Sequence, residues 1–168
     1  MHKQDLEQAL AELEKNRSAM ERQLKIFAQT DLLFFFSEKP ELKKRQQEMW
    51  QPILNWAQAE LQIKIAVTDE LEVPDNRELV AALDGVFARM GDGQFCCWYA
   101  AMLNMRSVLL GLALVEGPLT ADEAFLLAQA EELWQNERWG EDAKAAKLRQ
   151  AQLNDLQVIE EFNRQCAM

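Results

Sequence analysis

Phe95-Cys96-Cys97-Trp98-Tyr99-Ala100-Ala101-Met102-Leu103-Asn104-Met105-Arg106-Ser107-Val108-Leu109-Leu110-Gly111-Leu112-Ala113-Leu114-Val115-Glu116 is the stretch on which the fold turns. It is the longest apolar run of the chain and long enough to be weighed as a membrane span, which needs about 20 residues. Gln94, Asn104 and Arg106 interrupt it, and Arg106 sits near the middle. A central helix buried in protein is the better reading. It is apolar on nearly every side, so neighbours should surround it. Gly111 in its interior costs roughly 1 kcal/mol of helix propensity, which the close approach of another helix would offset. Gly117-Pro118 ends it.

Helices are predicted on both sides of this run. Upstream, Asp75 with Glu78 reads as a capping pair for a helix ending near Met90, and Gly91-Asp92-Gly93 reads as a turn. Downstream, Thr120 with Glu123 is a second capping pair. It starts a helix that Gly140 breaks or bends. A last helix over residues 141–165 carries Leu148, Leu156, Ile159 and Phe162 inward.

The N-terminal third is also helical. Leu6, Leu10, Leu13, Arg17, Met20, Leu24 and Phe27 step by 4, 3, 4, 3, 4, 3. That is a heptad seam with one charged interruption, on a helix over residues 3–28. It either lies on the domain's own core or pairs in part with another chain, as a homodimer would. Thr30-Asp31 caps a short segment, Leu32 to Phe36, too apolar to stay in water. Pro40 opens a further helix at a favoured early position and carries Leu42, Met49, Trp50, Ile53, Leu54, Ala57 and Leu61. Pro52 should kink or divide it. Ile63, Ile65 and Val67 alternate with Lys64, Ala66 and Thr68, but one short strand makes no sheet, so an extended connector is expected.

Composition agrees. The 168 residues fit one domain, which can bury roughly 70% of its unfolded surface. Hydrophobic residues are 49%, with five tryptophans and eight phenylalanines, which argues against disorder. The expected fold is all-α: a single helical domain of about six helices around the central apolar helix, with no substantial sheet.

Charge and chemistry-bearing residues narrow the function. A net charge of −10 argues against nucleic acid, since phosphate neutralisation needs clustered Lys and Arg. Lys43-Lys44-Arg45 is short and reads as a solvated face. The three cysteines, Cys96, Cys97 and Cys166, form no C-x-x-C, so neither a zinc ribbon nor a redox motif is supported. The only histidine is His2, which removes His-based acid–base chemistry and the Glu-x-x-His metal pairs of helical bundles. Gly91-Asp92-Gly93 lacks the lysine of a phosphate loop. No catalytic residue, metal or cofactor is expected.

A recognition surface is. Glu131-Glu132-Leu133-Trp134-Gln135-Asn136-Glu137-Arg138-Trp139-Gly140-Glu141-Asp142 sets two tryptophans five residues apart in a run crowded with charge. Large aromatics give much contact area for little lost freedom and recur in recognition patches. Glu131 and Glu132 diverge by about 100° on a helix and cannot easily flank one scissile bond. Glu131 shares a face with Gln135, and Arg138 falls seven on from Glu131. The candidate partner-binding residues are Glu131, Glu132, Trp134, Gln135, Arg138 and Trp139, with Gly140 setting the bend. In the alternative reading the indoles pack into the domain and the glutamates are solvated.

Four stretches, in order, resemble a known family. Thr30-Asp31-Leu32-Leu33 is similar to its T-D-L-L, and Trp50-x-Pro52 followed by Trp56 to its W-D-P-x-x-x-W. Ser107 through Gly117, with Leu109, Gly111, Leu112, Ala113 and Leu114, resembles its S-x-x-L-x-L-A-x-x-x-G helix. Glu131-Glu132-x-x-Gln135-x-x-x-Trp139-Gly140 resembles its D/E-E-x-x-Q-x-x-x-W-G signature. Together they mark the C-terminal helical domain of the F-one ATPase alpha-subunit assembly chaperones, the ATP-twelve family of bacteria and mitochondria. The resemblance implies a protein that holds the free alpha subunit of the ATP synthase head, covers the surface the beta subunit will occupy, and turns over no nucleotide. The family carries a largely β domain before its helical part. This chain begins with a long helix where that domain should end, so the β domain is expected to be absent. Arg106 stands where the family has a small residue before Ser107. The implied location is the bacterial cytoplasm, since a mitochondrial homologue would need a transit peptide that this N-terminus does not resemble. The alternative function is a self-associating helical adaptor, suggested by the heptad and the missing domain.

Overall fold

The computed structural model describes residues 1–167. Their order is α1 (Lys3–Phe27), a 3₁₀ turn (Leu32–Phe34), α2 (Pro40–Leu61), α3 (Arg77–Arg89), α4 (Asp92–Met105), α5 (Val108–Glu116), α6 (Ala121–Ala128), α7 (Ala130–Trp139) and α8 (Ala143–Ala167). No strand forms among the described residues, and the fold is all-α as expected.

The expected central helix is two helices. Arg106 takes a left-handed conformation (φ 58°) and Ser107 is extended (φ −142°). A continuous helix would hold Trp98 and Val108 about 15 Å apart along its axis. Instead the Trp98 Nε1–H donates to the Val108 carbonyl at 2.9 Å, so α5 folds back on α4. The close approach expected at Gly111 is that of α4: a Cβ there would lie 3.0 Å from Trp98 Cδ1 and 3.2 Å from both Met102 N and Trp98 O. Residues 108–115 are buried throughout, so α5 is the central element.

The cause of the break is Asp31, which is fully buried. Its carboxylate accepts from the Leu33 N–H at 3.0 Å, the Ser107 hydroxyl at 2.7 Å and the Leu109 N–H at 3.0 Å. Ser107 in turn accepts from the Leu110 N–H at 3.0 Å. One carboxylate thus caps the 3₁₀ turn and the start of α5 together, satisfying amides that a helix N-terminus leaves unpaired. Burial pushes this carboxyl up from its ordinary value, against the pull of the donors around it.

The heptad seam of α1 is turned inward. Leu6, Leu13 and Leu24 are buried, and α1 packs on α4, α8 and α3. Arg17 in that seam caps the end of α3, donating to the Phe87 carbonyl at 2.7 Å and the Met90 carbonyl at 2.8 Å. It also pairs with Asp92 and lies 4.6 Å from the Phe95 ring centre.

Several expectations are corrected. The helix after Pro40 runs undivided through Pro52. Asn76, not Asp75, precedes α3, and its side chain clamps the connector instead, bonding Ala66 N–H and C=O at 2.7 and 3.0 Å. Asp92 and Gly93 already belong to α4, with Gly91 before them, so the turn there is shorter than predicted. The helix started by Thr120 and Glu123, whose capping box forms, breaks at Gln129 into α6 and α7. Leu148 is 61% exposed rather than inward, while Leu156, Ile159 and Phe162 are buried. The two added breaks raise the expected six helices to eight among the described residues. Ile63 to Val67 form the connector, and Thr68 makes an isolated bridge with Phe35.

Candidate functional site

The α7 corner is held to α2. Arg138 pairs with Glu41, and Arg45 with Glu137 at 3.0 Å. Trp134 is 6% exposed and Trp139 68% exposed, and their rings meet edge to face at 5.9 Å. Lys39 Nζ lies 5.3 and 5.8 Å from the two ring centres, and Arg138 Cζ lies 4.1 Å over Trp134. One tryptophan is therefore an anchor and the other a surface. The buried one carries Arg138 and shares Lys39 with the exposed one, since cations find the negative face of an aromatic ring favourable. Gly140 ends α7 at φ +82°, a conformation that suits glycine.

Glu131 and Glu132 face another way. Both are exposed, and Glu131 accepts from Gln135 at 3.3 Å, the side-by-side pairing that a spacing of four predicts. They line a cleft of about 450 Å³. Its other walls are Leu32 and Phe35 around the 3₁₀ turn, Gln46 and Trp50 of α2, Asn104 to Arg106 at the end of α4, and Leu148, Arg149 and Gln152 of α8. The seven predicted site residues thus divide. Glu131 and Glu132 open onto the cleft, while Trp134, Arg138 and Trp139 form a corner against α2.

The cleft is where the separate sequence stretches meet. Leu32 comes from Thr30–Leu33, Trp50 from the tryptophan–proline stretch, Arg106 directly precedes the Ser107 helix, and the glutamates open the last stretch. The Trp50 Nε1–H donates to the Leu127 carbonyl at 2.9 Å and so fixes α2 against α6 beside the cleft. Gln129 and Gln152 bond each other at 3.2 Å, and Asn104 donates to the Gln152 carbonyl at 3.2 Å, which ties α8 to both neighbours. Arg149, 9% exposed, pairs with Glu141.

Sequence reasoning missed Phe35, Gln46, Met105, Arg149 and Gln152 as site residues, and read Arg106 as an interruption of the apolar run and a departure from the family's small residue. The available signal was the order of the four stretches, which gives no distances between them.

The arrangement offers binding rather than bond-making groups. The charged residues of the cleft come from three separate walls. Burial pushes the Cys96 thiol up to about 11 and the Cys97 thiol higher still, the wrong direction for a nucleophile at neutral pH. No group of three or more His, Cys, Asp or Glu side chains placed to hold a metal occurs among the described residues. No helix among them is long and apolar enough to cross a membrane.

Residues 2–58 match the family model of the ATP12 chaperone protein. The fold is similar to that of Atp12 from Paracoccus denitrificans, with a TM-score of 0.87 and 27% identity over 93% of this chain and 68% of that one. A point mutant of the P. denitrificans protein gives a TM-score of 0.86 at 26% identity, over 93% and 68% of the two chains. The Atu1473 protein of Agrobacterium tumefaciens gives 0.78 at 28% identity, over 89% of this chain and 58% of that one. The family match lies on α1, the 3₁₀ turn and most of α2, while the likeness of fold covers 93% of the chain.

Proposed function

We propose that the chain, whose residues 2–58 match the ATP12 chaperone family model and whose fold resembles that of Atp12, binds the unassembled alpha subunit of the ATP synthase head and shields its beta-facing surface. The work is done in the bacterial cytoplasm and needs no nucleotide turnover. One observation carries the reading. Three of the four stretches that resemble the family's motifs contribute residues to one cleft (Leu32, Trp50, and Glu131 with Glu132), the fourth begins one residue after the cleft's Arg106, and among the described residues neither glutamate lies in an ion pair. Mixed polarity suits a hand-over. An apolar floor supplies affinity, and charges open to water supply recognition without locking the complex.

The exposed Trp139 extends this surface beyond the cleft. Its indole offers a large rigid contact that costs little to desolvate. The self-associating adaptor is less well supported, because the seam that would pair two chains has Leu6, Leu13 and Leu24 buried against its own domain.

Capture of purified alpha subunit tests the proposal. The double variant Glu131→Lys, Glu132→Lys should capture about tenfold less alpha subunit while its circular dichroism stays that of the parent. Unchanged capture would remove the cleft from the binding site.

A further inference from the structure

We propose that Arg106 is a second recognition element of the cleft, and that the bound segment of the client presents an acidic side chain to Arg106 and a basic one to Glu131 and Glu132. This rests on the client-binding reading above and adds the charge pattern of what is bound.

The fold does not require an arginine at this position. Arg106 adopts φ 58° and ψ 31°, where an L side chain is strained and glycine is not. What the position contributes to the fold is backbone only. The Arg106 N–H donates to the Met102 carbonyl at 2.8 Å, and its carbonyl accepts from the Leu32 N–H at 3.4 Å. Any residue but proline has the groups for both bonds, and glycine would make them with less strain.

The side chain also stands apart electrostatically. Seven of the nine arginines lie in ion pairs among the described residues; Arg22 and Arg106 do not, and of these two it is Arg106 that lines the cleft. In a chain of net charge −10 carboxylates are plentiful, yet the Arg106 guanidinium is exposed at the cleft and takes none of them among the described residues. Arg149, the other cation of the cleft, is already paired with Glu141. The charges still free in the cleft are one cation at the end of α4 and two anions on α7. They enter from different walls, with Leu32, Phe35 and Met105 among the apolar residues lining the space. A guanidinium recognises a carboxylate by two parallel hydrogen bonds, which gives direction as well as attraction. The cleft therefore offers both signs of charge from separate walls, Arg106 at the end of α4 and Glu131 with Glu132 on α7. A second copy of this chain is a poor occupant, since two bodies of net charge −10 repel.

Capture of purified alpha subunit by the full chain, with Arg106→Gly and Arg106→Glu as variants, tests this. Arg106→Gly should bind about threefold to tenfold more weakly, and Arg106→Glu at least about tenfold more weakly. Arg106→Gly should melt at the parent's temperature or up to about 2 °C above it, because glycine relieves the strain, whereas a residue with a merely structural role would lower it. Added salt should shrink the gap between parent and Arg106→Gly. If the parent captures alpha subunit and both variants capture it equally well, the role of Arg106 is overturned and the client reading stands. If the parent captures none, both fall.

Discussion

The α4–α5 hairpin and the α7 corner use the same residue types under opposite conditions. Trp98 is fully buried, donates its N–H to Val108, and packs against Phe87 and Phe95 with ring centres 5.6 and 6.3 Å away. Trp139 is 68% exposed and touches its neighbour Trp134 by an edge. Asp31 is buried among donors from two elements, while Glu131 and Glu132 are exposed and outside any ion pair. In the hairpin the buried Trp98 N–H and Ser107 hydroxyl are both hydrogen-bonded, because a buried group without a partner would cost about 1–3 kcal/mol there. At the corner, groups remain free because water satisfies them until a partner does. The hairpin thus sets the shape of the cleft, and the corner retains capacity for binding. Substitutions in the two regions should separate stability from capture.

Asp31→Ala should have the largest effect. It leaves the Leu33 and Leu109 amides and the Ser107 hydroxyl buried without their acceptor. The expected loss is about 4 kcal/mol, a large fraction of a domain's total stability. Urea unfolding measures it, and a loss below about 1 kcal/mol would mean that the 3₁₀ turn and α5 do not depend on one carboxylate. Gly111→Leu should follow at about 3 kcal/mol, since even its Cβ would press on the backbone of α4. A near-neutral result would show that the hairpin opens easily.

Arg17→Leu discriminates between the two ways of reading α1. The heptad alone predicts a gain, because leucine completes the seam. The structure predicts a loss of about 2 kcal/mol, because the carbonyls of Phe87 and Met90 lose their donor at the end of α3. A higher melting temperature than the parent's would restore the heptad reading.

How much of this was legible in the sequence follows from range. Periodicity and capping pairs are local, and they gave the all-helical class and the capping box at Thr120, with inward packing of α1 as one of two readings of its heptad. The break at Arg106 was not legible because the group that stabilises it, Asp31, lies 76 residues from Ser107. An apolar run looks continuous until the carboxylate that caps its second half is placed beside it. Leu148 was misread for a related reason. It follows the inward spacing of α8, but at its position the helix overhangs the cleft rather than the core. Of the candidate site, the glutamates and tryptophans were legible as types in a charged run. That they face two different ways was not, because the direction is set by α2 through Glu41, Arg45 and Lys39. The resemblance named the four stretches, and only the fold shows that residues of three of them line one cleft.

Trp139→Ala should have the smallest effect on folding and so sharpens the contrast most. An indole that is 68% exposed has little buried area to lose, and its edge contact with Trp134 is worth about 0.5–1.5 kcal/mol at most. Lys39 stays over Trp134 and Arg138 stays paired with Glu41, so α7 keeps its hold on α2 without this ring. The expected change in stability is about 0.5 kcal/mol, within the range of ordinary surface substitutions. Capture of alpha subunit should nonetheless fall about tenfold, because an exposed aromatic spends its contact area on a partner rather than on the fold. The paired readout is what makes the variant informative. A melting temperature within about 2 °C of the parent, with capture reduced, puts Trp139 in the docking surface. Full capture would confine recognition to the cleft and leave the exposed indole outside it.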